Sequence, residues 1–147
     1  MNDDNIALNM KNNMRLLIVD DDPDDRELFI EAVKEIDASI NCVAAKNGLQ
    51  ALEWLKDDSH PIPDLIFLDI SMPLLNGSKC LAEIKQDNRL VNIPVIIYTT
   101  SRNVEESIVL KDMGAVHFIS KPRDAEEIYY LVSVVLEEHL FAAPNNR

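Results

Sequence analysis

The chain has 147 residues, 47% apolar and 27% charged, enough to bury one ordinary core and too apolar for a disordered segment. Its formal net charge of −12, from 26 acids against 14 bases, argues against a surface that binds nucleic acid or an anionic membrane. Two cysteines, Cys42 and Cys80, lie in apolar-periodic segments without CxxC spacing and are expected as core thiols, not metal ligands or nucleophiles.

Residues 1–14 are Asn-rich and uneven in pattern, and read as a flexible N-terminal extension that helps cover a sheet edge. They lack a charged-then-apolar signal design, and no apolar stretch approaches the ~20 residues of a membrane span, so a cytoplasmic protein is expected. One folded domain is expected over 15–141, followed by a short tail over 142–147. The first strand is "LLIV" at 16–19. A helix then starts with Asp22 as N-cap and Pro23 at its first position, with Leu28, Ala32, Val33 and Ile36 facing inward. A weaker strand, "INCVA" at 40–44, precedes a helix from Asn47 whose inward residues are Leu49, Leu52 and Leu55. "LIFL" at 65–68 is followed by a helix from Ser78 with Leu81 and Ile84 inward. "VIIY" at 95–98 leads to a helix from Val104 that stops at Gly114. "VHFI" at 116–119 leads to the last helix, Asp124 to about Phe141, with Ile128, Leu131, Val132, Val135 and Leu136 inward.

The strand runs are continuously apolar, as burial on both faces requires, and each is followed by a helix. The pattern is an α/β chain of (βα)5 type, a doubly wound five-stranded parallel sheet with flavodoxin-like strand order 2-1-3-4-5. In such sheets ligands bind beyond the carboxyl ends of the strands. The residues placed there are Asp20 and Asp21 after the first run, Asp69 after the third, Thr99 and Thr100 after the fourth, and Ser120 and Lys121 after the fifth.

Two carboxylates ~5 Å apart repel by roughly 3 kcal/mol at an effective dielectric near 20, so three gathered at one rim need a counter-charge. A hard divalent cation such as Mg2+ supplies it. On this reading Asp20 and Asp21 hold metal, while Asp22, Asp24 and Asp25 lie in the first helical turn, where acids suit the helix dipole. Asp69 is then a candidate nucleophile toward phosphorus, with Lys121 and Thr99 placed to meet charge on a transferring phosphoryl group. No GxxxxGK[ST] or GxGxxG loop is present, so a nucleotide donor is not expected.

"VDDDP" at 19–23, "DISMPLLNG" at 69–77, "TTS" at 99–101 and "KP" at 121–122 resemble the receiver domain of two-component response regulators, over about Arg15 to Leu140. The resemblance implies Mg2+-dependent phosphoryl transfer to Asp69 from a phosphohistidine of a sensor histidine kinase or histidine phosphotransfer protein. It implies a metal site of Asp20, Asp21, Asp69 and the Ser71 backbone carbonyl, and contact of Lys121 with the phosphoryl group, Pro122 often following a cis bond. Thr99 and Phe118 would be the switch pair. Such a domain is a signalling phosphoacceptor that catalyses its own phosphorylation and dephosphorylation, not an enzyme with a separate substrate. Asn76, where many members carry an acid, is expected to matter little. Ser71 and Ser101 fall at positions that set phosphoryl lifetime in the family. Nothing but "AAPNNR" follows the last helix, so a stand-alone receiver without output domain or DNA binding is expected, acting on a protein target or as a relay.

Plainer readings stand beside these. "DDDPDD" alone is an ordinary solvated turn. A calcium loop fails because Asp25 takes the position that needs glycine. A haloacid-dehalogenase-type phosphatase would want an acid where Ser71 stands. A pure interaction module with a degenerate pocket conflicts with the full set of pocket residues. His60, His117 and His139 are expected as loop, sheet-end and helix-surface residues, none with a second His at metal spacing. Tyr130, Val134 and Phe141 lie opposite the inward stripe of the last helix, which suggests a partner or homodimer surface.

Overall fold

The structure, a computed structural model, describes residues 14–71 and 76–141, the side chains of Leu140 and Phe141 excepted. The expected tail, the Phe141 side chain and all of the expected extension but Met14 lie outside the described residues. Met14 is joined to the sheet rim, its carbonyl accepting from the Asn41 N–H at 2.9 Å.

Five parallel strands, β1 (Arg15–Val19), β2 (Asn41–Ala45), β3 (Leu65–Leu68), β4 (Val95–Thr99) and β5 (His117–Ser120), pair in the order β2-β1-β3-β4-β5. The expected topology is the observed one. Five α-helices connect and follow them: α1 (Pro23–Ile36), α2 (Gly48–Lys56), α3 (Gly77–Gln86), α4 (Val104–Asp112) and α5 (Ala125–Leu136). Each helix starts on an Asp or Asn whose side chain accepts a backbone N–H of the first turn: Asp22, Asn47, Asn76, Asn103 and Asp124. Asn76 therefore has a definite task, capping α3, which the sequence reading did not give it. α4 ends before Gly114, whose φ of 114° is the left-handed conformation a helix stop requires.

Because β3 and β4 are buried along their whole length and β1 from Leu16 onward, alternate residues feed two cores. Leu17, Val19, Ile66, Leu68, Val95 and Ile97 pack under α2, α3 and α4. Leu16, Ile18, Leu65, Phe67, Ile96 and Tyr98 pack under α1 and α5. Cys80 is buried and Cys42 half-buried, and burial pushes both thiols up to about 12, as core positions should.

Three details correct the sequence reading. The inward stripe of α1 centres on Phe29, Ala32 and Val33, with Leu28 only half-buried at its edge. In α2 the buried residues are Gly48, Ala51, Leu52 and Leu55, and Leu49 is half exposed. Successive residues are about 100° apart around a helix, so a phase error of one residue swaps a core position for a surface one. The last α-helix ends at Leu136 and continues as a π-turn over Glu137–Phe141.

Phe29 is fully buried and meets Phe67 at 4.6 Å and Tyr98 at 5.5 Å between ring centroids. Phe29→Ala is expected to cost about 3–5 kcal/mol of unfolding free energy in urea titrations, the transfer and cavity terms adding. Leu49→Ala should change stability by less than about 1 kcal/mol.

Candidate functional site

Register brings the strand ends level: Val19 pairs with Leu68, and Thr99 with Ser120. The ladder also runs one residue beyond three strands. Asp20 N–H donates to Ala45 O at 3.0 Å, Asp69 N–H to Val19 O at 2.9 Å and Lys121 N–H to Thr99 O at 2.7 Å. The backbone of all three residues is therefore fixed before their side chains begin.

Those side chains converge. Lys121 Nζ lies 2.7 Å from Asp20 Oδ2, 2.9 Å from Asp25 Oδ2 and 3.0 Å from Asp69 Oδ2, with its side chain only 7% exposed. Beneath it the ring of Tyr98 lies 5.9 Å away. Burial alone would lower the Lys121 value, but the three carboxylates outweigh it and hold the ammonium well above the ordinary lysine value. The second oxygens are tied locally: Asp20 Oδ1 accepts the Asp22 N–H and Asp69 Oδ1 the Ser71 N–H, both at 3.0 Å. Arg26 completes the turn, donating to the Asp20 carbonyl at 2.8 Å.

Asp25 and Arg26 are residues the sequence reading missed. Asp25 was assigned only to the helix dipole, yet it is one of the three anions on Lys121. Its position on the first turn of α1 is shared with Asp24, so the sequence carried no signal that singled it out.

One ammonium cannot neutralise this rim. Asp20, Asp21 and Asp69 each offer a carboxylate oxygen within 4.8 Å of the others. Asp20 Oδ2 is buried, and its close cation is the Lys121 ammonium at 2.7 Å, which it shares with Asp25 and Asp69. Burial pushes the Asp20 carboxyl up to about 6, and Asp69 adds to that, against the lowering effects of Lys121 and the Asp22 N–H. An under-satisfied, all-oxygen, acid-rich corner fits a hard divalent cation of the Mg2+ class, and Asp20, Asp21 and Asp69 are the residues that would hold it.

Thr99 is fully buried at the end of β4, its Oγ1 accepting the Ser101 N–H at 3.4 Å, and it meets Lys121 through the backbone. Phe118 is half-buried and packs on the core beneath α3 and α4. Ser71 is exposed and touches Asp69 through its N–H. Pro122 follows a trans bond, as do all described residues, in place of the cis form the resemblance allowed. Gly77 opens α3 against this corner. A Cβ there would run into the backbone of Ile70 and lie 2.7 Å from the Asp69 carbonyl oxygen.

His60 in a loop and His117 at the start of β5 lie where the sequence placed them, whereas His139 does not. His60 stacks on Trp54 at 4.6 Å, and the rings of His117 and His139 lie 5.3 Å apart, with His139 largely covered instead of on a helix surface.

Comparison with known proteins agrees with this architecture. A family model described as the response regulator receiver domain matches residues 16–133. The response regulator Rcp1 of Synechocystis sp. is 31% identical over 121 residues, covering 80% of this chain and 82% of that protein. The chain spans only 51% of a longer relative, the probable transcriptional regulator ycf29 of Pyropia yezoensis, at 35% identity over 121 residues that cover 81% of this chain. Among solved structures, the Mn2+-bound form of Rcp1 has a TM-score of 0.79 at 29% identity, covering 86% of this chain and 94% of that one. The phosphorylated cyanobacterial phytochrome response regulator RcpA has a TM-score of 0.81 at 28% identity, covering 87% and 94%.

The raised Asp20 value has a thermodynamic consequence. Between 3.8, its unfolded value, and about 6 the folded chain keeps a proton that the unfolded chain has released, so stability falls as pH rises through that window. In metal-free buffer, wild type is expected to lose about 1–3 kcal/mol relative to Asp20→Asn between roughly pH 4 and pH 6.5, read from paired urea titrations.

Proposed function

The chain belongs to the response regulator receiver domain family, and from that premise we propose that Asp69 accepts a phosphoryl group from a phosphohistidine of a sensor histidine kinase or histidine phosphotransfer protein. The observation that carries this reading is the single buried ammonium of Lys121 held against the Asp69 carboxylate at the strand-end rim. In the transfer an Asp69 carboxylate oxygen forms a bond to phosphorus as the phosphorus–nitrogen bond of the donor breaks, the electron pair leaving with the imidazole. The product is an acyl phosphate.

Each residue then has a task. Lys121, already 3.0 Å from Asp69 Oδ2, needs only a short shift to follow the phosphoryl oxygens, while Asp20 and Asp25 keep it charged and aimed. The Ser71 N–H fixes the rotation of the Asp69 carboxyl. Asp20 and Asp21, with Asp69 and the Ser71 carbonyl, are the ligands assigned to Mg2+. When bound, that ion supplies positive charge against the phosphoryl oxygens and removes the repulsion among the carboxylates. A related protein, Rcp1, is described in a Mn2+-bound form, and another, RcpA, as phosphorylated, which supports the reading without transferring to this chain by itself. Loss of the phosphoryl group by water attack uses the same corner, so the domain promotes both steps on itself.

Thr99 and Phe118 are the proposed switch. The Thr99 hydroxyl turns from the Ser101 N–H toward the phosphoryl group, and Phe118, on the adjoining strand, moves into the space it vacates. The output surface is proposed on α5. Tyr130 and Val134 are exposed there and, with Ile119 and Leu131, line a groove of about 1070 Å³ that suits a protein target or a second copy of the chain.

Labelled acetyl phosphate is expected to label wild type in Mg2+, with label falling to background in Asp69→Ala and in EDTA. Lys121→Ala should slow labelling about 100- to 1000-fold. Persistent label in Asp69→Ala, or equal label without metal, rules the mechanism out. For the α5 surface, sedimentation with and without a phosphoryl analogue is expected to show self-association or target binding that Tyr130→Glu weakens about tenfold or more, an apolar anchor being replaced by a charge. An unchanged monomer mass together with undiminished target binding removes that surface.

A further inference from the structure

A second cluster of ligand-bearing side chains lies away from the acidic rim. His117 opens β5, and Glu138 and His139 stand in the π-turn that follows α5. Glu138 Oε1 is 3.2 Å from His117 Nε2 and 3.9 Å from His139 Nε2, and the three residues offer one donor atom each within 4.8 Å of one another. The geometry points to a transition-metal site of the Zn2+ class built from His117, Glu138 and His139, with coordination positions left open for water or an incoming ligand.

An ordinary surface ion pair accounts for His117 and Glu138 but not for His139. Its side chain is 17% exposed, and its Nε2 is buried with no hydrogen-bond partner among the described residues. An unpaired buried nitrogen costs on the order of 1–3 kcal/mol, a cost that coordination removes. The backbone gives a second, independent pointer. Consecutive residues on an α-helix diverge by about 100°, which sends neighbouring side chains to different faces. Here the wider π-turn over Glu137–Phe141 brings the Glu138 carboxylate and the His139 ring onto one point. Such turns are rare and recur at functional sites.

The donor set separates the two sites chemically. Two imidazole nitrogens and one carboxylate suit Zn2+, with metal–ligand bonds near 2.0–2.2 Å and hence donor separations of about 3.4 Å in a tetrahedron. The two separations from Glu138 Oε1, 3.2 and 3.9 Å, bracket that value, and all three donors lie within 4.8 Å of one another. The rim of Asp20, Asp21 and Asp69 is all oxygen and suits Mg2+, which binds nitrogen donors poorly. His117 and Glu138 also line the groove beside α5, so metal there would pin the end of that helix to the edge strand.

The test is calorimetric titration of chelator-treated full-length chain with Zn2+ in excess Mg2+, which keeps the acidic rim occupied. One Zn2+ per chain is expected, weakened about 100-fold or more in His139→Ala and in His117→Ala by loss of an imidazole. Asp21→Asn should leave the affinity within about twofold, since that residue is in the other site. Labelling of His139→Ala by acetyl phosphate at the wild-type rate is the check that the variant is folded. A four-coordinate visible spectrum with Co2+, present in wild type and absent in the double variant His117→Ala/His139→Ala, is the second expected signature. No Zn2+ binding to wild type, wild-type affinity in the histidine variants, or loss in Asp21→Asn overturns the site.

Discussion

The functional corner depends on the contact of one ammonium with three carboxylates. Lys121 is buried between Asp20, Asp25 and Asp69, and each of its 2.7–3.0 Å contacts is one the solvent can no longer make. A lone buried ammonium would deprotonate and a lone buried carboxylate would take up a proton. Together the opposite charges offset one another's burial, though one ammonium does not balance three carboxylates. That residual imbalance, visible in the raised Asp20 value, is what suits the corner to the cation and the phosphoryl group proposed for it.

The rest of the fold serves that contact. Parallel strands in the order 2-1-3-4-5 put β1 beside β3, so Asp20 and Asp69 leave adjacent strands at the same level. β4 and β5 carry Lys121 in from the other side, and the backbone bond from Lys121 to Thr99 holds it there. The aromatic trio of Phe29, Phe67 and Tyr98 gives the pocket a rigid floor, linking core packing to the position of the ammonium. Gly77 lets the N-terminus of α3 approach the Asp69 backbone more closely than any side chain permits. Stability and chemistry thus share residues, and changes in the floor should be felt at the rim.

The same architecture separates two kinds of surface. The strand-end rim is acidic, oxygen-rich and mostly buried. The edge formed by β5 and α5 presents exposed Tyr130 and Val134 beside His117 and Glu138. The first suits a hard cation and phosphorus. The second has apolar area and imidazole nitrogens, which suit a protein partner and a softer metal.

The amino-acid order by itself determined the βα alternation, the parallel sheet, the strand-end positions of Asp20, Asp21, Asp69, Thr99 and Lys121, and the family. Continuous apolar runs and short capped helices are local signals, and they survive folding because nothing nonlocal competes with them. What the sequence left open was phase and contact. Phe29 replaced Leu28 at the centre of the α1 stripe because a helix turns about 100° per residue, and an apolar neighbour looks equally suitable in the string. Asp25 could not be told from four neighbouring acids until α1 was docked against the sheet and its first turn faced Lys121. His117 and His139 are 22 positions apart, and only the packing of α5 beside β5 and the π-turn after it bring their rings together. Such contacts are set by the relative placement of whole elements, a quantity that no short stretch of sequence carries.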